Sequence, residues 1–229
     1  MSGGLTNFRY VHKGILRELS MLEVRAQALS EANLAEQAAP FRRAARFAEA
    51  VIRNHAFGEE KVIFPALRDL FRKALPPGIT KLPKIGKDFD RAADTFQAFV
   101  ELDHRFAEGL AKGLAAAAVQ LGQATDAAER SRLVLSCRQQ ASALHAVLAL
   151  HFQKENNLLL PLVEERLSVE EQDAVMRQVE QSLPINDDRR AESIKRWWQA
   201  LGPEERADYR VNLMRMDRWP GDAYVEGHP

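Results

Sequence analysis

An all-α protein, built as an up-down-up-down four-helix bundle with a short C-terminal helical appendage, is what this sequence predicts. Apolar residues recur at spacings of three and four, and alternating strand-like stretches are absent. Four long segments carry that periodicity, joined mostly by short links, which favours antiparallel neighbours. With 229 residues, 46% of them hydrophobic, the chain can bury a full core.

The first helix is expected near 6–31, followed by a link around Glu36–Pro40 and a second helix near 40–74. Ala74–Gly86 holds Pro76, Pro77 and Pro83 with Gly78 and Gly86, and reads as a long connection. A third helix spans about 88–121. After Gly122–Thr125, Asp126 is placed to cap a fourth over 127–166. Ser168 and Glu171 form a capping box for a short helix ending near Leu183–Pro184. Two further short helices follow over 187–200 and 203–216, the second with Pro203 at its first position, and the last dozen residues read as a tail. The chain therefore divides into 1–184, the bundle with its following helix, and 185–229, an appendage too short for a core of its own.

Lysine and arginine number 32 against 32 acidic residues, so no general pull toward nucleic acid or anionic lipid is expected. The start lacks a signal-peptide pattern, and no apolar run reaches membrane-spanning length. The single cysteine, Cys137, excludes an intramolecular disulfide and fits a reducing cytoplasm. Any specificity must come from a site.

That site is written twice. His55 and Glu59 lead to Pro65, and His151 and Glu155 lead to Pro161, each landmark 96 positions from its counterpart (151 less 55). His and Glu four apart project from one helix face. Both pairs fall within apolar stripes: Phe47, Val51, Ile52, Val62 and Ile63 around the first; Leu144, Val147, Leu148, Leu158, Leu159 and Leu162 around the second. The other two long helices each add one histidine on such a stripe. His12 stands with Phe8, Ile15, Leu16 and Leu19, and His104 with Phe96, Val100, Ala107, Ala111 and Leu114. Buried carboxylates without cations cost several kcal/mol each, so four imidazoles and two carboxylates point to two metal ions, with about three protein ligands apiece. Counted from the expected helix ends at about 1.5 Å per residue, His12 and His55 are offset by roughly 6 Å, and His104 and His151 by nearer 10 Å.

Other polar residues read differently. Glu108, four after His104, is either a further ligand or outer acceptor, or solvated helix surface. Tyr10 reads as a hydrogen-bond donor to a metal-bound species or as a boundary tyrosine. Glu60 has Asn156 as its counterpart and stays outside the ligand set; His145 lies about 120° off the ligand face; His228 falls in the tail. Pro65 and Pro161 should kink or loosen each helix beyond its glutamate. Trp197, Trp198 and Trp219 cover the bundle or form a homodimer contact, with ordinary core burial expected for at least one.

His12, His55-x3-Glu59 with Ile-Phe-Pro, His104, and His151-x3-Glu155 with Leu-Leu-Pro together resemble the hemerythrin-like cation-binding family, the HHE domain, over about 6–182. The resemblance implies a non-haem di-iron centre inside a four-helix bundle, held by those six residues, with an oxo or hydroxo bridge; zinc is a possible substitute. Oxygen-carrying hemerythrins use a second histidine on the third helix and an aspartate on the fourth, where this chain has Glu108 and Glu155. It looks more like the bacterial branch with four histidines and two glutamates, associated with nitric oxide or peroxide chemistry, iron–sulfur repair, and iron or oxygen sensing. Ferritin-like bundles instead carry Glu-x-x-His, and the zinc-protease motif His-Glu-x-x-His is missing.

The expected function is that of a cytoplasmic di-iron protein that binds and reacts with a small oxidant: hydrogen peroxide, dioxygen or nitric oxide. The alternatives are an iron, oxygen or redox sensor, and a metal-binding protein without turnover.

Overall fold

The computed structural model describes residues 3–74, 83–183 and 185–226. Every element among them is helical: a 3₁₀ turn Gly4–Asn7, α1 Phe8–Ala28, α2 Leu34–Gly58, a π-helical turn Glu59–Ile63, α3 Phe64–Ala74, α4 Pro83–Leu121, α5 Ala127–Lys154, a second π turn Glu155–Leu159, α6 Leu160–Arg166, α7 Val169–Ser182, α8 Asp187–Trp198, α9 Pro203–Arg215 and α10 Asp222–Glu226. The protein is thus all-helical, as a helical bundle requires. No described helix is long and apolar enough to cross a membrane.

Several boundaries differ from the sequence reading for local reasons. The second helix begins at Leu34, so Pro40 lies inside it. The carbonyl that Pro40 leaves without a helical donor belongs to Glu36, an exposed residue where water can serve. α4 starts at Pro83, with proline at its first position, and takes in the last residues of the expected connection. The remainder of that connection, 75–82, lies outside the described residues, as do the Phe96 side chain and His228. The tail contains the short helix α10. Elsewhere the caps are as read: Asp126 Oδ2 accepts from the Glu129 N–H at 2.8 Å, and Ser168 and Glu171 exchange both capping-box bonds.

Two compact units share the chain. One comprises 15–55 and 102–152. Its core is a set of three-and-four spaced rows: Ile15, Leu19 and Leu22 from α1; Phe41, Ala45, Ala48 and Ile52 from α2; Ala107, Ala111, Leu114 and Ala118 from α4; Leu133, Cys137, Ala141, Leu144 and Leu148 from α5. Alanine dominates the α4 row and permits close helix approach. Burial pushes the Cys137 thiol up to about 11, so it stays protonated and unreactive at neutral pH.

The other unit comprises the N-terminal residues through Gly14, 56–101 and the chain from 153 onward. Here the N-terminal turn packs on α7. The Gly4 N–H donates to Asp173 Oδ1 at 2.7 Å, and β-carbons at Gly3 and Gly4 would run into Gln172 and Asp173. Arg215 of α9 binds both Asp173 oxygens, and Asn212 donates to Asn7 at 2.9 Å. Trp197 and Trp198 are buried, and Trp198 meets Trp219 at a tilt of 54° with ring centres 5.1 Å apart.

Candidate metal centre

Each π turn begins at a glutamate of the repeat. The Phe64 N–H reaches back five residues to the Glu59 carbonyl, and the Leu160 N–H does the same to Glu155. The following residue in each case is proline, whose ring would press on the carbonyl four residues back in a regular helix; widening the turn moves that carbonyl away. The expected loosening therefore falls one turn before each proline and starts at the glutamate itself.

An extra residue per turn also shifts which side chains face inward. Leu158 and Leu162, expected in the stripe of His151, are 58% and 47% exposed, whereas Leu160 and Val163 are at 4% and 1%. In the first copy Phe64 and Leu67, the counterparts of Leu160 and Val163, are buried likewise, and Ile63 is buried as expected.

All six residues of the sequence pattern are buried: His12, His55, Glu59, His104, His151 and Glu155 lie between 0% and 9% exposed. Ligand atoms of His55, Glu59, His104 and His151 lie within 4.8 Å of one another, and so do those of His12, His55, Glu59 and Glu155. His55 and Glu59 belong to both groups. Among the described residues no other His, Cys, Asp or Glu group of this kind occurs.

The donor set suits a cation. His104 Nε2 and His151 Nε2 are 3.0 Å apart, a spacing at which two imidazole nitrogens either share a proton or turn both lone pairs to one ion. His55 meets both rings edge-on, at centroid distances of 5.9 and 6.1 Å. His12 Nε2 lies 3.4 Å from Glu155 Oε2 and 3.9 Å from Glu59 Oε1. His104 and His151 therefore meet despite the roughly 10 Å offset counted from the expected helix ends. A small cavity with room for about a water-sized molecule is lined by Leu5, Phe8, Ile63, Leu67, Leu160 and Val163 together with His12, Glu59 and Glu155.

The remaining residues separate from this set. Glu108 is half-buried and in neither group. The Tyr10 hydroxyl donates to Asp208 Oδ2 at 2.7 Å; burial and then that carboxylate push its pKa up. His145 pairs with Glu23 at 2.7 Å. Two outer contacts were not expected: Asn156 Oδ1 lies 2.9 Å from His12 Nδ1, and Asp103 Oδ2 lies 3.4 Å from His151 Nδ1. Asp103 gave no sequence signal beyond its place next to His104, whereas Asn156 was visible as the residue that breaks the repeat at Glu60.

No curated protein and no solved structure matches the chain. The family model described as the hemerythrin HHE cation binding domain matches residues 3–120, a span that holds His12, His55, Glu59 and His104. With that match over half of its length, and with a buried His/Glu cluster compatible with metal binding, the chain belongs to the hemerythrin HHE cation-binding family.

Proposed function

We propose that this chain is a non-haem di-iron protein, an up-down-up-down bundle in its first 184 residues, whose centre binds and reacts with hydrogen peroxide, dioxygen or nitric oxide. The carrying observation is the pair of overlapping four-residue groups, each with both imidazole and carboxylate donors. Imidazole and carboxylate suit iron, and zinc can occupy the same donors; the one thiol, Cys137, belongs to neither group.

His104 and His151 would hold one metal and His12 and Glu155 the other, with His55 and Glu59, which belong to both groups, close enough to serve either. Bound there, iron supplies electron transfer to a small ligand, chemistry that the side chains lack. The chain holds the donors in place, and Leu5, Phe8, Leu67 and Val163 keep bulk water and larger molecules from the His12 side. The single, buried cysteine fits work in a reducing compartment such as the cytoplasm.

Anaerobic purification followed by metal analysis tests the reading. About two irons per chain are expected, with Glu59→Ala losing both and Glu155→Ala losing the His12-side ion. Iron-loaded protein should then consume peroxide or nitric oxide beyond its iron content. Wild-type protein with well under one iron, or a Glu59→Ala variant with its iron intact, would overturn it.

A further inference from the structure

His12 is 1% exposed, and its two ring nitrogens face different partners. Nε2 lies toward Glu155 and Glu59. Nδ1 lies 2.9 Å from Asn156 Oδ1. An imidazole that offers the Nε2 lone pair to a cation must carry its proton on Nδ1, and an amide oxygen can only accept that proton's hydrogen bond. Asn156 is in this position because it is the second residue of the π turn that starts at Glu155.

His151 is backed differently, by the Asp103 carboxylate at 3.4 Å. A third carboxylate beside His12 would add negative charge next to Glu59 and Glu155, both buried; a neutral amide holds the ring without that cost. This gives a physical reason why Asn156 stands where the first half of the repeat has Glu60.

Resting on the di-iron reading, we propose that Asn156 is a positioning residue that fixes the His12 tautomer with Nε2 available to metal, and so sets the affinity of the His12-side position alone. Its effect on iron runs entirely through His12.

The test is anaerobic titration of the metal-free full chain with Fe(II) against a competing chelator, in wild type, Asn156→Leu, Asn156→Ala and Asn156→Asp. In the Leu and Ala variants one iron equivalent should bind about 10- to 100-fold more weakly, with the other unchanged. Asn156→Asp, which keeps an acceptor at Oδ1 but adds the charge that the amide avoids, should recover part of the loss. If Leu and Ala variants hold both equivalents as tightly as wild type, Asn156 has no positioning role. If Asn156→Ala weakens binding but the nearly isosteric Asn156→Leu does not, the residue acts by packing and the proposal fails. Wild type that binds no iron instead overturns the di-iron reading, and this proposal with it.

Discussion

His145 is the histidine closest in sequence to a ligand pair without sharing its face, and its partner explains what it does. Glu23 accepts from Ser142 Oγ at 2.5 Å and pairs with His145 Nδ1 at 2.7 Å. The Ser142 hydroxyl first, and His145 second, hold the Glu23 carboxyl below its ordinary 4.5. A carboxylate with a depressed folded pKa contributes stability above its unfolded value, and loses it as pH falls through the folded one. Glu23→Gln should therefore lower Tm at neutral pH, and the gap to wild type should close as pH falls below the ordinary carboxylate range and through the depressed folded value. Thermal scans across that range check it; a constant gap would assign the effect to packing. The six candidate ligands were legible for a related reason. Histidine and glutamate inside an apolar stripe are costly without a compensating partner, so their position carries information. Asp103 and Asn156 sit at half-buried boundary positions where polar residues are ordinary, so the same rule is silent there.

At the level of elements, the α-helical period was sufficient up to each glutamate and failed just beyond it. Leu158, Leu159 and Leu160 are consecutive, so composition alone allows either register; the π turn selects the one with Leu160 and Val163 inside and Leu158 outside. Proline marked the disturbance without showing that an additional residue was accommodated. Deleting the exposed Asn157 removes the additional residue, so regular helix would place the present Leu160 and Val163 four and seven positions after Glu155, on its own face. The inward register should survive, but the proline that follows Leu160 would again press on the carbonyl four residues before it. An interior proline costs about 3 kcal/mol, so the metal-free protein should lose roughly 2–3 kcal/mol in urea unfolding, and Pro161→Ala in the same background should return most of it. Loss below about 0.5 kcal/mol would mean that the wide turn does not serve to accommodate the proline.

Across the whole molecule, the contacts least visible in the sequence join its two ends. Residues 3–14 and the stretch from 153 onward fall in one unit, yet nothing periodic advertises this. Gly14 reads as an ordinary helix glycine, although a β-carbon there would lie 2.4 Å from Trp197 Cε3. The C-terminal helices hold the segment that carries Leu5, Phe8 and His12: Asp173 binds the Gly4 N–H and Arg215, Asp208 accepts from Tyr10, and Glu205 pairs with Lys13 at 2.6 Å. Asp173 is the pivot, because its side chain is only 5% exposed and Arg215 supplies its counter-charge. Arg215→Ala would leave that carboxylate buried with the Gly4 N–H. A fully buried pair broken this way costs about 3–5 kcal/mol, and the 27% exposure of the Arg215 side chain lowers the expectation to roughly 2–3 kcal/mol. Asp173→Asn in the Arg215→Ala background should return part of it, because the stranded charge is gone. Urea unfolding of the two single variants and the double variant measures this coupling, expected at about 1–2 kcal/mol. Iron release from loaded Arg215→Ala should also quicken relative to wild type, since the same contacts steady the segment bearing His12. Additive effects of the two substitutions, with iron release unchanged, would show that the C-terminal helices hold this segment by apolar packing and that the Asp173–Arg215 pair is incidental.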